Sequence, residues 1–466
     1  MQDIDSLIIV NRTTPHIFQV TSESGEPLQG ASVTVLQKSH SFSFGSCVTG
    51  GFGNLGDPFQ QQYEDTLLKY FNAAVDEWTF KWPSVEPSQD NLNFGQADNI
   101  RNWCLEHDLP LRGHTVFWAN EVKVPDWARN LDNDNLLDEM HEHVIDIVDR
   151  YPEMMEFDLN NEMILNNYFR GRFGESIIDS MFTWSLDIKP EAVLYLNEYG
   201  IINDVLLDLY IDQIQSLLDQ GIQVGGIGIQ GHVFTSDEPT DLGTFAGDTV
   251  FSADYLWNII DTLAQFSLPI KITEFDFNAP NDSIHAEWIQ TFYKTMYAHP
   301  MMEGVIMWGF WEAIHWRPEG AIFNEDFSAK PSALAYYNLI YNELWNNDTL
   351  FTNGLGTAEI NLFHGNHEIS VEYGGVSYET TIESIQIPEN NDPIILNIEL
   401  AVNPDYCMQG DVNCDDHVNI VDIVTIIQFI LEQTEPDGQQ FGNSDLNSDG
   451  EINISDIILL VQMILQ

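Results

Sequence analysis

The sequence predicts a (β/α)₈ TIM barrel, followed by a small antiparallel β module and an all-α module with paired loops. Between residues 42 and 345, eight short apolar, β-branched or aromatic runs alternate with longer stretches of helical spacing. Polar side chains close these runs, at the strand ends where barrel loops build a site. An open doubly wound sheet is the alternative, but it usually carries a Gly-rich phosphate loop, which this sequence lacks.

Each predicted strand is rich in the residue types that favour extended structure. Two of the intervening segments, 252–266 and 332–344, carry apolar residues at i, i+3 and i+4 and predict helices. The strands are predicted at 42–48, 73–82, 109–118, 155–163, 192–199, 224–232, 270–277 and 304–311.

Composition and charge exclude several classes of protein. Hydrophobic residues make up 44% of the 466 residues and charged residues 19%, which is typical of globular chains. The 16 Lys and Arg against 73 Asp and Glu give a net charge of −57, which excludes nucleic acid and anionic membranes as partners. No apolar run is long enough to span a membrane. The acidic start lacks signal-peptide features, so we expect a cytoplasmic protein or a secreted one whose signal was removed.

The segments flanking the barrel are predicted to be small β elements. Residues 18–37 alternate in polarity around a Gly-Glu-Pro turn and predict a hairpin that packs against the barrel. The hairpin and the barrel are therefore assigned to one catalytic domain, residues 1–345. The polar stretch 346–356 predicts a linker. The module at 346–402 is either a packing spacer or a glycan-binding unit, with strands predicted at 359–363, 368–373, 378–385 and 394–399.

An internal repeat in the third domain, 403–466, predicts two calcium sites. At a 34-residue offset, oxygen-bearing side chains recur at loop positions 1, 3, 5, 9 and 12, each time before an apolar helical run. Such positions, with a backbone carbonyl at position 7, surround Ca²⁺ in EF-hand loops. Asp416 replaces the expected Gly at position 6 of the first loop, which predicts a left-handed Asp. The predicted ligands are Asp411, Asn413, Asp415, Asn419 and Asp422 in the first loop and Asp445, Asn447, Asp449, Asn453 and Asp456 in the second.

Residues 407–466 resemble a dockerin, the paired calcium-loop module that binds cohesin domains. The resemblance implies structural Ca²⁺, a cohesin-bearing scaffold protein as partner, and an extracellular protein. The two residues that often contact cohesin in that family are Ile420-Val421 in one loop and Ile454-Ser455 in the other, instead of the commonest Ser/Thr pair.

Four cysteines are too few for a disulfide framework. Cys407 and Cys414 are near enough in sequence to form a disulfide, and two free thiols are the alternative. Cys47 and Cys104 are predicted to be buried.

Two glutamates are the candidate catalytic pair. Glu162 ends the run Asp158-Leu159-Asn160-Asn161-Glu162 after strand four, and Glu274 lies in the polar end of strand seven. Two carboxyl groups across a barrel mouth suit glycoside hydrolysis: one protonates the leaving oxygen, and the other attacks the anomeric carbon or activates water. Tryptophans able to stack on sugar rings are available at Trp118, Trp308, Trp311 and Trp316.

Over residues 15–345 the chain resembles glycoside hydrolase family 10, the xylanases. The resemblance implies a secreted, endo-acting, retaining β-1,4-xylanase that hydrolyses the xylan backbone, or xylo-oligosaccharides, without a catalytic cofactor. A retaining glycanase on another or decorated polysaccharide and a non-catalytic carbohydrate-binding barrel are the alternatives. The matching motifs are Phe71-Asn72, Glu77, Lys81-Trp82, Glu86-Pro87, and residues 112–118, 158–162, 226–232 and 272–276.

The same resemblance implies a role for each site residue. Glu162 is the implied acid/base and Glu274 the implied nucleophile, which His232 and Asp276 orient. Two departures affect the sugars on the non-reducing side: Trp78 stands where the family has Asn, and Ala119 where a His often follows the strand-three Trp. The implied substrate-binding residues are Glu77, Lys81, His114, Trp118, Asn161, Gln230, His232, Trp308 and Trp316.

Overall fold

The structure, a computed structural model, describes residues 3–233, 251–385, 392–402, 407, 409–415 and 417–465. The described residues form two compact units, Met1–Arg12 with Phe42–Leu344 and Thr13–Ser41 with Trp345–Gln466. Asp416, for which a left-handed conformation is predicted, lies outside the described residues.

Sixteen strands are assigned in the described part of the chain. They are β1 (Thr13–Ser22), β2 (Ser32–His40), β3 (Ser43–Val48), β4 (Ala73–Asp76), β5 (Leu111–Trp118), β6 (Glu156–Asn161), β7 (Val193–Glu198), β8 (Gly226–Ile229), β9 (His232–Val233), β10 (Ile270–Phe277), β11 (Met302–Met307), β12 (Asn347–Phe351), β13 (Thr357–Phe363), β14 (Gly365–Tyr373), β15 (Val376–Ser384) and β16 (Ile394–Leu400).

The α-helices of the described residues are α1 (Ile4–Arg12), α2 (Phe59–Tyr70), α3 (Trp82–Val85), α4 (Gly95–Glu106), α5 (Asp126–Arg129), α6 (Asn133–Val148), α7 (Tyr168–Phe173), α8 (Ser176–Ile188), α9 (Leu207–Asp219), α10 (Ala253–Ala264), α11 (Asp282–Ala298), α12 (Pro331–Asn338), α13 (Ile420–Ile430), α14 (Gly438–Ser444) and α15 (Ile454–Leu465). Short 3₁₀ turns occur at Glu121–Lys123 and Pro318–Gly320, and one π-helical turn at Leu339–Glu343 follows α12. Among the described residues, no helix has the length and apolar character needed to cross a membrane.

Eight parallel strands close the predicted barrel in the first unit. Their order is β3-β4-β5-β6-β7-β8-β10-β11, and β11 pairs back to β3. Every residue of β10 is buried, as expected for a strand packed on both faces. The predicted helix over 252–266 is confirmed as α10, which begins where the Ser252 hydroxyl accepts the Tyr255 N–H.

Several barrel strands are shorter than the apolar runs that predict them. The run 73–82 forms a strand only to Asp76, because the Asp76 carboxylate accepts the N–H groups of Trp78 and Thr79 and turns the chain. The run 224–232 is interrupted at Gly231, whose φ is +84°. These turns bring the polar residues that follow the strands to the barrel mouth.

The predicted hairpin at 18–37 is wrong, and so is the assignment of these residues to the barrel domain. Strand β1 pairs with β13 and β16, and β2 pairs with β12 and β14, so the two strands lie in different sheets. The sheets β13-β1-β16 and β12-β2-β14-β15 enclose one core that includes Phe18, Val35 and Ile369. The predicted linker 346–356 is also wrong in part, since β12 lies within it. Residues from both sides of the barrel sequence thus build one β-sandwich.

The C-terminal repeat forms the predicted helical module from α13, α14 and α15. Its apolar core is small: Val412, Ile426 and Leu460 are the fully buried members of the cluster. Cys407 and Cys414 form a disulfide, which decides between the two sequence-based alternatives. Cys47 and Cys104 are free and buried, as predicted.

Candidate functional site

The two predicted catalytic glutamates lie at the carboxyl ends of barrel strands. Glu162 follows β6 with a left-handed backbone (φ 61°), which is uncommon for a residue with a Cβ. Its N–H donates to the Asn197 carbonyl at 2.9 Å, so the neighbouring strand holds this conformation. Glu274 lies inside β10, and 5% of its surface is exposed. The Glu162 side chain is therefore half-buried at the barrel mouth, whereas the Glu274 side chain is enclosed by the protein.

A chain of amide side chains joins the two carboxyl groups. Gln230 Nε2 donates to Glu162 Oε1 at 3.0 Å and to Asn161 Oδ1 at 3.3 Å. Asn197 Nδ2 donates to Asn161 Oδ1 and to Glu274 Oε1, each at 2.9 Å. Each amide has its orientation set by two partners, which positions both carboxyl groups in one network.

His232 and its neighbours control the charge of Glu274. His232 Nδ1 lies 2.9 Å from Asp276 Oδ1, and its Nε2 lies 3.2 Å from Glu274 Oε2. Burial lowers the pKa of His232, but Asp276 and Glu274 outweigh it and raise the pKa to about 10. Burial raises the pKa of Glu274, but His114, His232 and Lys81 outweigh it and hold this pKa below its ordinary value. Glu274 is therefore ionised at neutral pH, beside an imidazolium.

The remaining predicted side chains converge on the same cleft. Trp118 Nε1 donates to Glu162 Oε2 at 2.8 Å, and Trp316 Nε1 donates to Asp276 Oδ2 at 2.5 Å. The His114 and Trp308 rings meet edge to face, with centroids 5.1 Å apart. Glu77 lies near Lys81, whose charge opposes the rise that burial causes in the pKa of Glu77. All twelve residues predicted for the barrel site thus meet at one mouth.

Sequence reasoning missed two residues at the end of β7. Asn197 is a central member of the amide chain, and its Oδ1 also accepts the Thr273 hydroxyl at 2.5 Å. Glu198 is buried, and its Oε1 accepts the Ile164 N–H at 2.8 Å. Both close an apolar run, the signal that identified the other site residues, so the same rule could have found them.

Glu198 is a buried carboxyl group with a raised pKa beside the acid/base candidate. Its Oε2 is buried without a hydrogen-bond partner. Burial raises the pKa of Glu198 to about 8, and the charge of the neighbouring Glu162 adds to the rise. A neutral carboxyl group is the form that such an environment favours.

We expect Glu198→Gln to stabilise the barrel relative to the wild type increasingly as pH rises from about 5 to 8. In the unfolded chain the Glu198 carboxyl loses its proton above its ordinary pKa of 4.5, whereas the folded barrel keeps it to about 8. Folding takes up a proton between these values, so the wild type loses stability as pH rises, on the order of 5 kcal/mol in all. The measurement is the difference in melting temperature between variant and wild type against pH. Glu191→Gln, an exposed change just before β7, is the control for removing a carboxyl group that is not buried.

The two C-terminal loops have the same internal geometry. Asp422 Oδ1 accepts the Val412 N–H and Asp456 Oδ1 the Leu446 N–H, each at 2.9 Å. Asp415 and Asp449 donate their N–H groups to the position-1 aspartates at 3.1 Å. No group of three or more His, Cys, Asp or Glu side chains converges as a metal cluster in the described chain, so a cation here also depends on Asn and carbonyl oxygens.

Charge supports a cation at these loops. Residues 403–466 contain twelve Asp and Glu and no Lys or Arg. Asp422 and Asp456 are nevertheless fully buried. The donor set is all oxygen, which suits Ca²⁺, with the ten predicted side chains as the residues that would hold it.

A parallel barrel with two glutamates in one hydrogen-bonded network at its mouth defines a glycoside hydrolase. The profile of glycosyl hydrolase family 10 matches residues 34–340, and the chain belongs to this family. The profile of the dockerin type I domain matches residues 409–465, so the C-terminal module is a dockerin domain.

Relatives of the chain carry different names. It is 31% identical over 360 residues to the anti-sigma-I factor RsgI6 of Acetivibrio thermocellus, which covers 77% of this chain and 45% of that protein. It is 31% identical over 315 residues to endo-1,4-beta-xylanase 1 of Arabidopsis thaliana, covering 66% of this chain and 31% of the plant protein. The chain thus spans less than half the length of these relatives.

Among solved structures, the fold resembles xylanase 10B from Thermotoga petrophila in complex with xylobiose. The TM-score is 0.57 at 22% identity, with 64% of this chain and 94% of that chain covered. Native xylanase 10B from Thermotoga maritima gives the same TM-score at 23% identity, covering 64% of this chain and 95% of that chain. At these identities the likeness supports the barrel fold.

Proposed function

We propose that this protein is a secreted, retaining endo-β-1,4-xylanase that hydrolyses the xylan backbone by double displacement. The observation that carries the proposal is the asymmetric carboxyl pair: Glu274 is enclosed and kept ionised, while Glu162 is half-buried and hydrogen-bonded to Trp118 and Gln230. An ionised carboxylate and a carboxyl group open to the leaving oxygen are the two groups that glycoside hydrolysis needs.

In the first step a carboxylate oxygen of Glu274 attacks the anomeric carbon and forms a glycosyl ester. The bond from that carbon to the leaving oxygen breaks, and Glu162 gives its proton to this oxygen. Asn161 is placed to hydrogen-bond the 2-hydroxyl of the reacting sugar, because its neighbours Gln230 and Asn197 fix its amide. That contact strengthens as positive charge develops on the sugar ring.

In the second step Glu162 removes a proton from water, and the resulting hydroxyl attacks the anomeric carbon. The ester bond breaks, and Glu274 leaves as a carboxylate beside the His232 imidazolium. The cation lowers the free energy of this carboxylate, which favours its release. Two displacements at one carbon return the anomer to its starting configuration.

The dockerin domain carries the second part of the proposal. We infer that it binds Ca²⁺ and attaches the enzyme to a cohesin-bearing scaffold outside the cell. Its position-10 side chains support a contact surface, since Ile420 and Ile454 are 71% and 67% exposed. Apolar side chains exposed at matching places in both repeats are what a surface that binds a protein partner would present.

We expect the full chain to release reducing sugars from xylan and not from β-glucan or mannan. The assay separates the alternatives: activity on another polysaccharide favours a different glycanase. No hydrolysis of any of the three favours a non-catalytic carbohydrate-binding barrel. Glu274→Gln, which keeps the side-chain shape and removes the charge, is the inactive control in all three assays.

A further inference from the structure

Two lysines beside the catalytic cleft share the same two indole rings. Lys81 Nζ lies 5.0 Å from the ring centroid of Trp78 and 4.6 Å from that of Trp118. Lys123 Nζ lies 5.3 Å and 4.7 Å from the same two centroids. These four residues are called the lysine–indole patch. Both ammonium groups are within the range of a cation–π interaction.

The two lysines differ in how their charge is balanced. Lys81 is 6% exposed, and the carboxylates of Glu274 and Glu77 oppose the fall in its pKa that burial causes. Lys123 has no carboxylate partner within 4 Å in the described part of the chain, although the protein has 73 Asp and Glu and 16 Lys and Arg. Within the residues that the structure describes, the patch therefore carries one positive charge that no ion pair neutralises.

The patch is open to solvent and continuous with the site. Trp78 is 48% exposed and Lys123 is half-buried. At its other end, Trp118 donates its indole N–H to Glu162. A polysaccharide bound across the glutamates would therefore lie about one side chain away from the two indole rings and the Lys123 ammonium group.

We propose that Lys123, with Trp78 and Trp118, binds a hexuronic acid substituent on the polysaccharide. The proposal rests on the proposed xylanase function and names the decorated substrate that it favours. An indole face suits a pyranose ring, and the ammonium group suits its carboxylate. A neutral sugar needs no cation, whereas an anionic one is repelled by most of a surface with a net charge of −57.

The test compares three substrates of equal backbone length. They are linear xylo-oligosaccharides, the same chains with one glucuronic acid substituent, and those substituted chains with the carboxyl group methyl-esterified. The esters have nearly the shape of the acid but no charge. We expect kcat/KM of the wild type to be about tenfold higher on the acid than on its ester, and this ratio to fall as NaCl rises.

Lys123→Gln should bring the acid-to-ester ratio close to one, and Lys123→Arg should preserve it because the charge remains. The matched control is Lys69→Gln. Lys69 also lies over two aromatic rings, Tyr70 and Tyr337, but at the end of α2 that precedes β4, at the opposite end of the barrel.

An acid-to-ester ratio near one in the wild type, or a ratio that survives Lys123→Gln, would overturn the proposal. Failure to cleave the linear oligosaccharides would instead contradict the proposed xylanase function, and would not bear on the binding of a uronic acid by Lys123. The two failures are therefore distinguishable in one set of measurements.

Discussion

Glu274→Ala is expected to lower kcat on xylo-oligosaccharides by on the order of 10⁴-fold or more, with the fold intact. The side chain removed is the proposed nucleophile, held by Asn197 at 2.9 Å and by His232 at 3.2 Å. Alanine leaves space for azide, which can attack the anomeric carbon from the same face. We expect azide to restore turnover and to give a glycosyl azide of inverted configuration, measured by NMR of the first product.

Glu162→Ala is the matched variant. Assayed on a substrate whose leaving group needs no protonation, it should still form the glycosyl ester on Glu274, and azide should then attack that ester. Its azide product should have retained configuration, opposite to that from Glu274→Ala. A wild-type first product of inverted configuration, or a separation near 8 Å between the two carboxyl groups instead of about 5–5.5 Å, contradicts the retaining mechanism.

Removal of calcium is expected to unfold the dockerin domain and leave the barrel folded. Twelve Asp and Glu with no Lys or Arg repel one another in residues 403–466, and the apolar core has three fully buried side chains in the described module. So small a core does not compensate for buried, unneutralised carboxylates such as Asp422 and Asp456. Binding of the cation and folding are then one equilibrium.

The measurement is hydrogen exchange of the full chain with and without a chelator, followed peptide by peptide. Protection of α13 and α15 should disappear with chelator and return with Ca²⁺, while protection of β10 stays unchanged. Asp456→Ala should weaken Ca²⁺ binding, because its carboxylate holds both ends of the second loop. Glu435→Ala, an exposed acid between the loops, is the control. Unchanged protection of both helices without metal would rule out the calcium requirement.

The barrel and most of its site could be predicted from local pattern. Each βα unit places its strand and helix next to each other in the chain, so eight apolar runs with polar ends are enough to indicate parallel strands and a mouth. Glu162 and Glu274 follow from that rule. Asn197 and Glu198 carry the same signal and were overlooked.

The β-sandwich could not be predicted in the same way. Alternation in β1 and β2 shows that each strand has one apolar face, but it does not identify the partner. Phe18 lies opposite Ala358, and Val35 lies opposite Ile369, across more than 300 residues of barrel sequence. The turn between β1 and β2 suggested local pairing, whereas burial of the one apolar face of each strand in a shared core favoured pairing with distant strands.

The amino-acid sequence alone determined the features that depend on residues close together in the chain. These are the barrel strands, the positions of the two glutamates at strand ends, and the ligand spacing of the paired loops. Periodicity and ligand spacing are properties of neighbouring residues, and they need no knowledge of distant ones. The tertiary structure alone decided which distant groups share an environment. The amide chain between the glutamates, the raised pKa of Glu198 and the contact of Lys123 with Trp78 and Trp118 depend on groups that meet only in three dimensions, which no linear spacing records.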